Sequence, residues 1–253
     1  MMEPKSIPQG RLYKDLAYLF PLVTPREGYA EEAAQWLTIL REKLVPAKNK
    51  ILELGVGAGH NLSYLTGEFT ATAVDTSPEM LQLCKKLNPG VELRQDDMRD
   101  IRLGRKFDAI LIHDAIVYML SEDDLMRTFA TAAAHLEDGG IFITGPDYYL
   151  DTFFGPRVEY CTRSEGALEL TYVEYAYDPD PSDTIMEIIF SFFIREQGRL
   201  RIEHDRHITG LFPRVSWVKL MGKAGFSVES RMITSGGVPH ELLVGTLSKT
   251  PRE

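Results

Sequence analysis

Between residues 50 and 145, five short apolar runs alternate with stretches of helical spacing: KILEL, TATAV, VELRQ, FDAILI and GIFIT. Strand-length apolar runs separated by helices leave few arrangements open. Parallel strands must be joined by crossovers, and the crossover helices cover both faces of the sheet. The intervening helices are expected at about 58–66, 78–87 and 121–135, the last ending near Asp138-Gly139-Gly140. Thr76-Ser77 precedes Pro78, a cap followed by proline in the first helical turn.

The pattern changes on either side of this block. Residues 11–20 are amphipathic and are expected to stop at Pro21. Thr24-Pro25 then opens a longer helix to about Leu44, with Ala30, Ala33, Ala34, Leu37, Leu40 and Leu44 as its apolar positions. After Gly145, three stretches alternate with period two: ALELTYVEYAY, TIMEIIFSFFIR and RLRIEHDRHIT. They predict antiparallel strands turning at Asp178-Pro179-Asp180-Pro181 and at Gln197-Gly198. A helix at 213–225 and two strands joined near Gly236-Gly237 close the chain. The expected class is α/β: a doubly wound, mostly parallel seven-stranded Rossmann-like sheet with N-terminal helices and a β-rich insertion after the fifth strand. The expected division is a helical lid at 1–49, a core at 50–145 and 211–253, and the insertion at 146–210.

The formal net charge of −9 and the absence of any run of five basic residues speak against a phosphate-backbone partner. Cys84 and Cys161 suggest neither a disulfide framework nor a metal knuckle. The start MMEPKSIPQG lacks a signal-peptide layout, and no long apolar run spans a membrane, so a cytoplasmic protein is expected.

Repeated glycine between strand and helix lets backbone approach a ligand closely, and the spacing here is Gly55-x-Gly57-x-Gly59. His60 stands where a dinucleotide fingerprint needs a small residue, and no Gly-Lys-Ser/Thr follows for a P-loop. Glu53, two residues before the first glycine, suits a cation better than a pyrophosphate. Asp75 ends the second strand, 20 residues after Gly55, where a carboxylate can accept from a ribose diol. Asp97 and Met98 follow the third strand, as an acceptor for an adenine amino group and an apolar neighbour for its ring.

With LELGVGAGH, AVDTSPEML, QDDMRD and FDAILIHDAIVYM in this order, the sequence resembles the class I S-adenosylmethionine-dependent methyltransferases over residues 50–145. LMGKAGFSV and ELLVGTLS fit that family's closing helix and strands. The resemblance implies S-adenosylmethionine as cofactor and S-adenosylhomocysteine as product. It implies that Glu53, Gly55, Val56, Gly57 and Gly59 approach the methionyl part. Asp75 and Thr76 would lie at the ribose, with Met80 on the following helix, and Asp97 and Met98 at the adenine. His113 and Asp114 would lie beside the sulfonium and the acceptor, as candidate catalytic residues. His113 as a satisfied buried histidine, and Asp114 as a helix cap, stand as alternatives. An acidic cleft suits a cationic ligand, and in-line alignment of an activated methyl supplies much of the catalysis.

Tyr13, Tyr18 and Tyr29 are candidate lid residues over the site, or else ordinary helix packing. Tyr118, and Asp147, Tyr148 and Tyr149 in GPDYY, are candidate substrate contacts, with a plain turn as the alternative for GPDYY. His204, Asp205 and His207 resemble a metal cluster, but His204 and His207 point to opposite faces of a strand. A salt-bridged face or a substrate contact fits better. The Asp/Asn-Pro-Pro-Tyr/Phe tetrapeptide of nucleic-acid and protein amino-methylating relatives is absent. GPDYY partly matches the acidic-Pro-Trp-Trp pattern of amino-sugar relatives. The expectation is therefore methyl transfer to a small molecule, on an amine nitrogen, with a homodimer formed through the insertion. A hydroxyl or carbon acceptor, or cofactor binding without transfer, are the alternatives.

Overall fold

The computed structural model describes residues 6–248. The first half of MMEPKSIPQG and the last five residues of the core's closing stretch lie outside the described residues. Five parallel strands form the heart of the main sheet: β1 (Lys50–Leu54), β2 (Thr70–Asp75), β3 (Glu92–Gln95), β4 (Phe107–Ile112) and β5 (Leu136–Thr144). With β10 (Phe226–Ser235) and β11 (Val238–Leu247) they make seven strands in the order β10-β11-β5-β4-β1-β2-β3. Only β11 and β10 run antiparallel to their neighbours. The mostly parallel seven-stranded sheet is the fold expected from the alternation of runs.

Burial on both faces follows from the period of two along each strand. Leu52 and Leu54 join Ile110, Ile112, Phe142 and Phe129 on one face, beneath α5 (Glu122–His135) and α6 (Arg214–Lys223). Ile51, Ala73, Leu111 and Ile143 face the other way, onto Trp36 and Leu40 of α2 (Ala30–Lys43) and Leu65 of α3 (Leu62–Leu65). Ser77 caps α4 (Pro78–Leu87), its Oγ accepting from the Met80 N–H at 3.0 Å.

Several local expectations are corrected. Pro21 does not end a helix: it stands in the first turn of α1 (Phe20–Val23), where its missing N–H costs nothing. The helix after the glycine loop is only α3, because Gly57 and Gly59 take positive φ. The buried side of α2 is Glu32, Ala33, Trp36, Ile39 and Leu40, while Ala30 and Ala34 face outward. No separate turn at Asp138-Gly139-Gly140 follows α5. β5 begins at Leu136, and the strand is irregular there, with Gly139 at φ 75°.

The insertion is a four-stranded antiparallel sheet, not three strands. β7 (Leu168–Tyr177), β8 (Ile185–Glu196) and β9 (Arg199–Gly210) are preceded by β6 (Arg157–Glu165). RVEYCTRSE gives little pattern because β6 is an edge strand, paired with β7 alone and exposed along most of its length. Among the described residues, no helix is long and apolar enough to cross a membrane.

Candidate active site

The carboxyl ends of the parallel strands bring their following loops to one edge of the sheet, the usual ligand edge of such folds. There the loops after β1, β2, β3, β4 and β5 open onto a cavity of about 610 Å³. Its roof comes from the N-terminal segment, through Leu12, Tyr13, Phe20 and Tyr29. The insertion closes it through Glu159, Tyr172, Glu174, Phe190 and His207.

The glycine loop is shaped by close approach. Gly55 has φ 73°, and a Cβ there would stand 2.2 Å from the Cβ of Ala115. The Asp75 carboxylate braces the loop, accepting from the Gly57 N–H and the Ser77 N–H, both at 2.8 Å. Burial nevertheless pushes the Asp75 pKa up, against these hydrogen bonds. Glu53 is 2% exposed, and its Oε2 lacks a partner among the described residues. Burial pushes its carboxyl up to about 8, opposed by His113 and helped by Asp114 and Asp75. The Asn61 amide and His60 Nδ1 are also buried without partners. Orphaned buried polar atoms around one cavity carry a desolvation cost that a polar ligand relieves.

Beyond β3, Asp97 and Met98 reach the cavity. Arg99 grips Asp97 at 2.6 Å and Asp124 at 2.7 Å, and its hydrogen bonds hold Asp97 below the usual carboxylate range. Val56, Thr76 and Asp96 also line the wall.

His113 sits between two carboxylates. Its Nε2 lies 2.7 Å from Glu32 Oε1 and its Nδ1 2.9 Å from Asp114 Oδ1. Burial favours the neutral ring, but Asp114 and Glu32 outweigh it and raise the pKa well above the ordinary value. Glu32 shows the reciprocal balance: burial raises it, and hydrogen bonds from His113 and His240 pull it far below its usual range. With both ring nitrogens engaged by carboxylates, His113 fits the alternative of a satisfied buried histidine. It orients Asp114, which is open to the cavity at the start of a 3-10 turn, Asp114–Tyr118.

Opposite Asp114, Asp147 is reachable from the cavity, yet the protein packed around it and the charge of Asp114 push its carboxyl up to about 7. Burial, then Glu159, also push Glu174 up to about 7.

Not every expected residue arrives. Tyr13, Tyr29, Tyr118 and Asp147 line the cavity. Tyr18 is 45% exposed beneath Arg201, and Tyr148 packs on Phe153 and under Arg157; neither reaches the cavity. Tyr149 is buried against Trp217. Met80 is in the core cluster with Phe20 and Ala58, so it supports the loop from behind. At Gly59 a Cβ would strike Asn88 Nδ2 at 2.5 Å and Cys84 Sγ at 2.6 Å, so this glycine serves packing against α4. His204 and His207 do face opposite ways: His204 is exposed beside Ser191, and His207 is buried.

Glu32, Asn61, Glu159 and Glu174 escape a reading of the sequence. Glu32 left one trace, its position four residues before Trp36 on the inward side of α2, where it accepts from the indole N–H at 3.1 Å. The strand carrying Glu159 was itself unrecognised.

A family profile described as a methyltransferase domain matches residues 51–140. The chain is 30% identical over 206 residues to the dTDP-3-amino-3,4,6-trideoxy-alpha-D-glucopyranose N,N-dimethyltransferase of Streptomyces venezuelae, covering 80% of this chain and 85% of that protein. It is 27% identical to the dTDP-3-amino-3,6-dideoxy-alpha-D-glucopyranose N,N-dimethyltransferase of Streptomyces fradiae, over 88% of each. The crystal structure of DesVI from Streptomyces venezuelae superposes with a TM-score of 0.81 at 26% identity, covering 92% of this chain and 98% of that one.

Proposed function

The chain belongs to the class I S-adenosylmethionine-dependent methyltransferases, in their small-molecule N-methyltransferase branch, and from that premise we propose that its acceptor is the amino group of an amino sugar. The observation carrying this reading is the single cavity that runs from the glycine loop to Asp114, Asp147 and Glu174. Glu53 and Asn61, with their orphaned atoms, fit the amino and carboxyl ends of a methionyl tail. Asp75 fits the ribose hydroxyls, and Asp97 with Met98 fits the adenine. S-adenosylmethionine supplies an activated methyl group on a sulfonium. What remains for the protein is to hold the acceptor nitrogen in line and unprotonated. Asp114, Asp147 and Glu174 surround that position with carboxylates that attract an ammonium. Glu174, half-buried and at about 7, can take a proton near neutrality.

Incubating the protein with S-adenosylmethionine and dTDP-3-amino-3,6-dideoxyglucose, followed by mass spectrometry, is expected to show one or two added methyl groups. Methylation of phenols or alcohols with none on any amino sugar would replace the nitrogen acceptor with oxygen. A second reading, an amino sugar without a diphosphate, is favoured by the lining contributed by the insertion. It holds Glu159 and Glu174 but no lysine or arginine to meet phosphate charge. Comparing the nucleotide-linked and free amino sugars as acceptors separates the two.

Glu53 gives this reading a pH signature. The free protein holds Glu53 protonated near neutrality, because its carboxyl is pushed up to about 8. A cationic ammonium against it favours the carboxylate, so binding releases about one proton. Calorimetry with S-adenosylhomocysteine in two buffers of different ionisation enthalpy is expected to show that release, with affinity rising from about pH 6 to about pH 7.5. Glu53→Gln should abolish the release and weaken binding about tenfold or more. It should also raise the Tm of the ligand-free protein in mild alkali. The folded state keeps the Glu53 proton to about 8, while the unfolded chain loses it near 4.5. Its stabilising contribution is therefore full below the lower value and lost as pH rises through the upper one.

We propose further that the enzyme works in the cytoplasm as a homodimer. The unpaired edge of β6, with Val158 and Tyr160 at 59% and 80% exposure, suits addition of a second copy. Light scattering that gave a monomer at micromolar concentration would remove the dimer.

A further inference from the structure

We propose that Asp205, His207 and Tyr118 form a relay that carries the proton of the methylated amine away from the cavity by way of Tyr13. The proposal rests on the amine-acceptor reading above. Four groups from three separate parts of the chain are joined in series. Tyr13 Oη lies 2.8 Å from Tyr118 Oη, which lies 2.7 Å from His207 Nδ1, and His207 Nε2 lies 2.9 Å from Asp205 Oδ2. His207 is 3% exposed and Asp205 is fully buried, whereas Tyr13, Tyr118 and His207 all line the cavity. The far end is anchored by the Leu12 N–H, which donates to Asp205 Oδ2 at 2.7 Å.

The Asp205 charge fixes the direction of the hydrogen bond at His207 Nε2. Burial raises the Asp205 pKa, but hydrogen bonds from His207 and from backbone N–H groups outweigh it and hold the carboxyl below its usual range. An ionised carboxylate only accepts, so Nε2 of His207 carries a hydrogen; the relay requires that Nδ1, which faces the Tyr118 hydroxyl, carries none. In the relay Tyr118 donates to Nδ1 and Tyr13 donates to Tyr118. That direction leaves the Tyr13 oxygen, on the cavity wall, able to accept.

Methyl transfer to a neutral amine forms an N–C bond as the C–S bond breaks, and it leaves the nitrogen as an ammonium. One N–H proton passes to Tyr13, the Tyr13 proton to Tyr118, and the Tyr118 proton to His207 Nδ1. The result is a neutral methylated amine and an imidazolium paired with Asp205. Each tyrosine gains one proton as it gives one, so no tyrosinate forms. Burial raises the pKa of both hydroxyls and makes a tyrosinate costly, so the shift is concerted. His113 cannot serve this purpose, since both its nitrogens already face carboxylates. The charged and titratable groups facing the relay are Asp75, Asp114 and Asp205 around Tyr13, and Asp147 and Asp205 around Tyr118. Removing the proton is what makes a second methylation of the same nitrogen possible.

The relay is also tied to the lid. The Gly10 N–H donates to Arg206 O at 3.2 Å, the Arg206 N–H donates to Pro8 O at 2.9 Å, and Arg11 pairs with Glu203 at 2.8 Å. The Ser77 hydroxyl donates to Tyr13 O at 2.6 Å. Tyr13 is thus set between β9 and the start of α4.

The test uses the full chain with S-adenosylmethionine and dTDP-3-amino-3,6-dideoxyglucose. In His207→Gln, and separately in Tyr118→Phe, S-adenosylhomocysteine affinity is expected to be unchanged. The second methylation should fall about 100-fold, so that monomethylated sugar accumulates. The dependence of the rate on pH should differ between the wild type and His207→Gln. A wild-type ratio of mono- to dimethylated product in both variants, with an unaltered pH profile, would overturn the relay. A second readout needs no acceptor. Nitrogen NMR of the S-adenosylhomocysteine complex should show His207 neutral with the hydrogen on Nε2, and a ring protonated on Nδ1 overturns the proposal. Should no amine be methylated by the wild type, the proposed function fails, and the imidazole spectrum alone decides the relay.

Discussion

Gly55→Ala is expected to abolish measurable cofactor binding and to lower the melting temperature of the protein. The new Cβ would stand 2.2 Å from the Cβ of Ala115 and 2.8 Å from Cε of Met98, at a φ of 73°. Met98 can swing its terminal methyl aside, but Ala115 has no freedom to yield. A left-handed conformation costs a non-glycine residue roughly 1–2 kcal/mol, and overpacking adds about 1–3 kcal/mol. Relief would have to come from moving the turn Asp114–Tyr118, which carries Asp114 and Tyr118 themselves. Calorimetry with S-adenosylhomocysteine should show affinity reduced by at least about 100-fold, the equivalent of ~2.7 kcal/mol. Gly67→Ala is the control, because a Cβ there meets nothing within 4 Å, and it should bind as the wild type does. Equal binding by both variants would mean that the loop does not approach the ligand.

The second large effect is expected at Asp75. Its carboxylate accepts from Gly57 and Ser77, both at 2.8 Å, and so fixes the glycine loop and the start of α4 as well as facing the cavity. Asp75→Ala should weaken S-adenosylhomocysteine binding by about 1–3 kcal/mol through lost charged hydrogen bonds to the ribose. Leaving two part-buried N–H donors without their acceptor should cost a further ~1 kcal/mol of stability. A comparison of S-adenosylhomocysteine with a ligand lacking the ribose hydroxyls separates the two effects. The binding loss should shrink for the truncated ligand, while the drop in Tm should not. Affinity that is unchanged for the full ligand would contradict the ribose assignment.

The cofactor half of the site was legible because it is local. Glu53, Gly55, Gly57, Asp75, Asp97 and Met98 lie at the ends of consecutive parallel strands, and that topology carries each to the same sheet edge. Spacing therefore stood in for position. The acceptor half was legible only in part, through Tyr13, Tyr29, Tyr118 and Asp147. Glu32, Glu159 and Glu174 come from a helix and two strands of a separate sheet, and no spacing links them. Glu174 sits in an alternating strand whose two faces look alike until something covers one of them. Met80, Tyr18 and Tyr148 show the converse error. Each is close in sequence to a true lining residue, but helix and turn geometry carry their side chains elsewhere.

His113 shows where a chemically sensible residue changes its meaning. A histidine at the end of a strand beside the cofactor invites a general-base role. The partner that removes that role, Glu32, is 81 residues away and arrives only when α2 packs across the loop.

The sequence by itself determined the α/β class, the seven-stranded core, the cofactor and the glycine loop on the cavity wall. Each of these depends on hydrophobic period and on residues in fixed order along adjacent strands. Only the tertiary structure decided which carboxylates are raised, which histidine has both nitrogens engaged, and which side chains line the cavity. Those properties depend on burial and on partners distant in the chain, and a pKa or a hydrogen-bond direction exists only once both groups are in place.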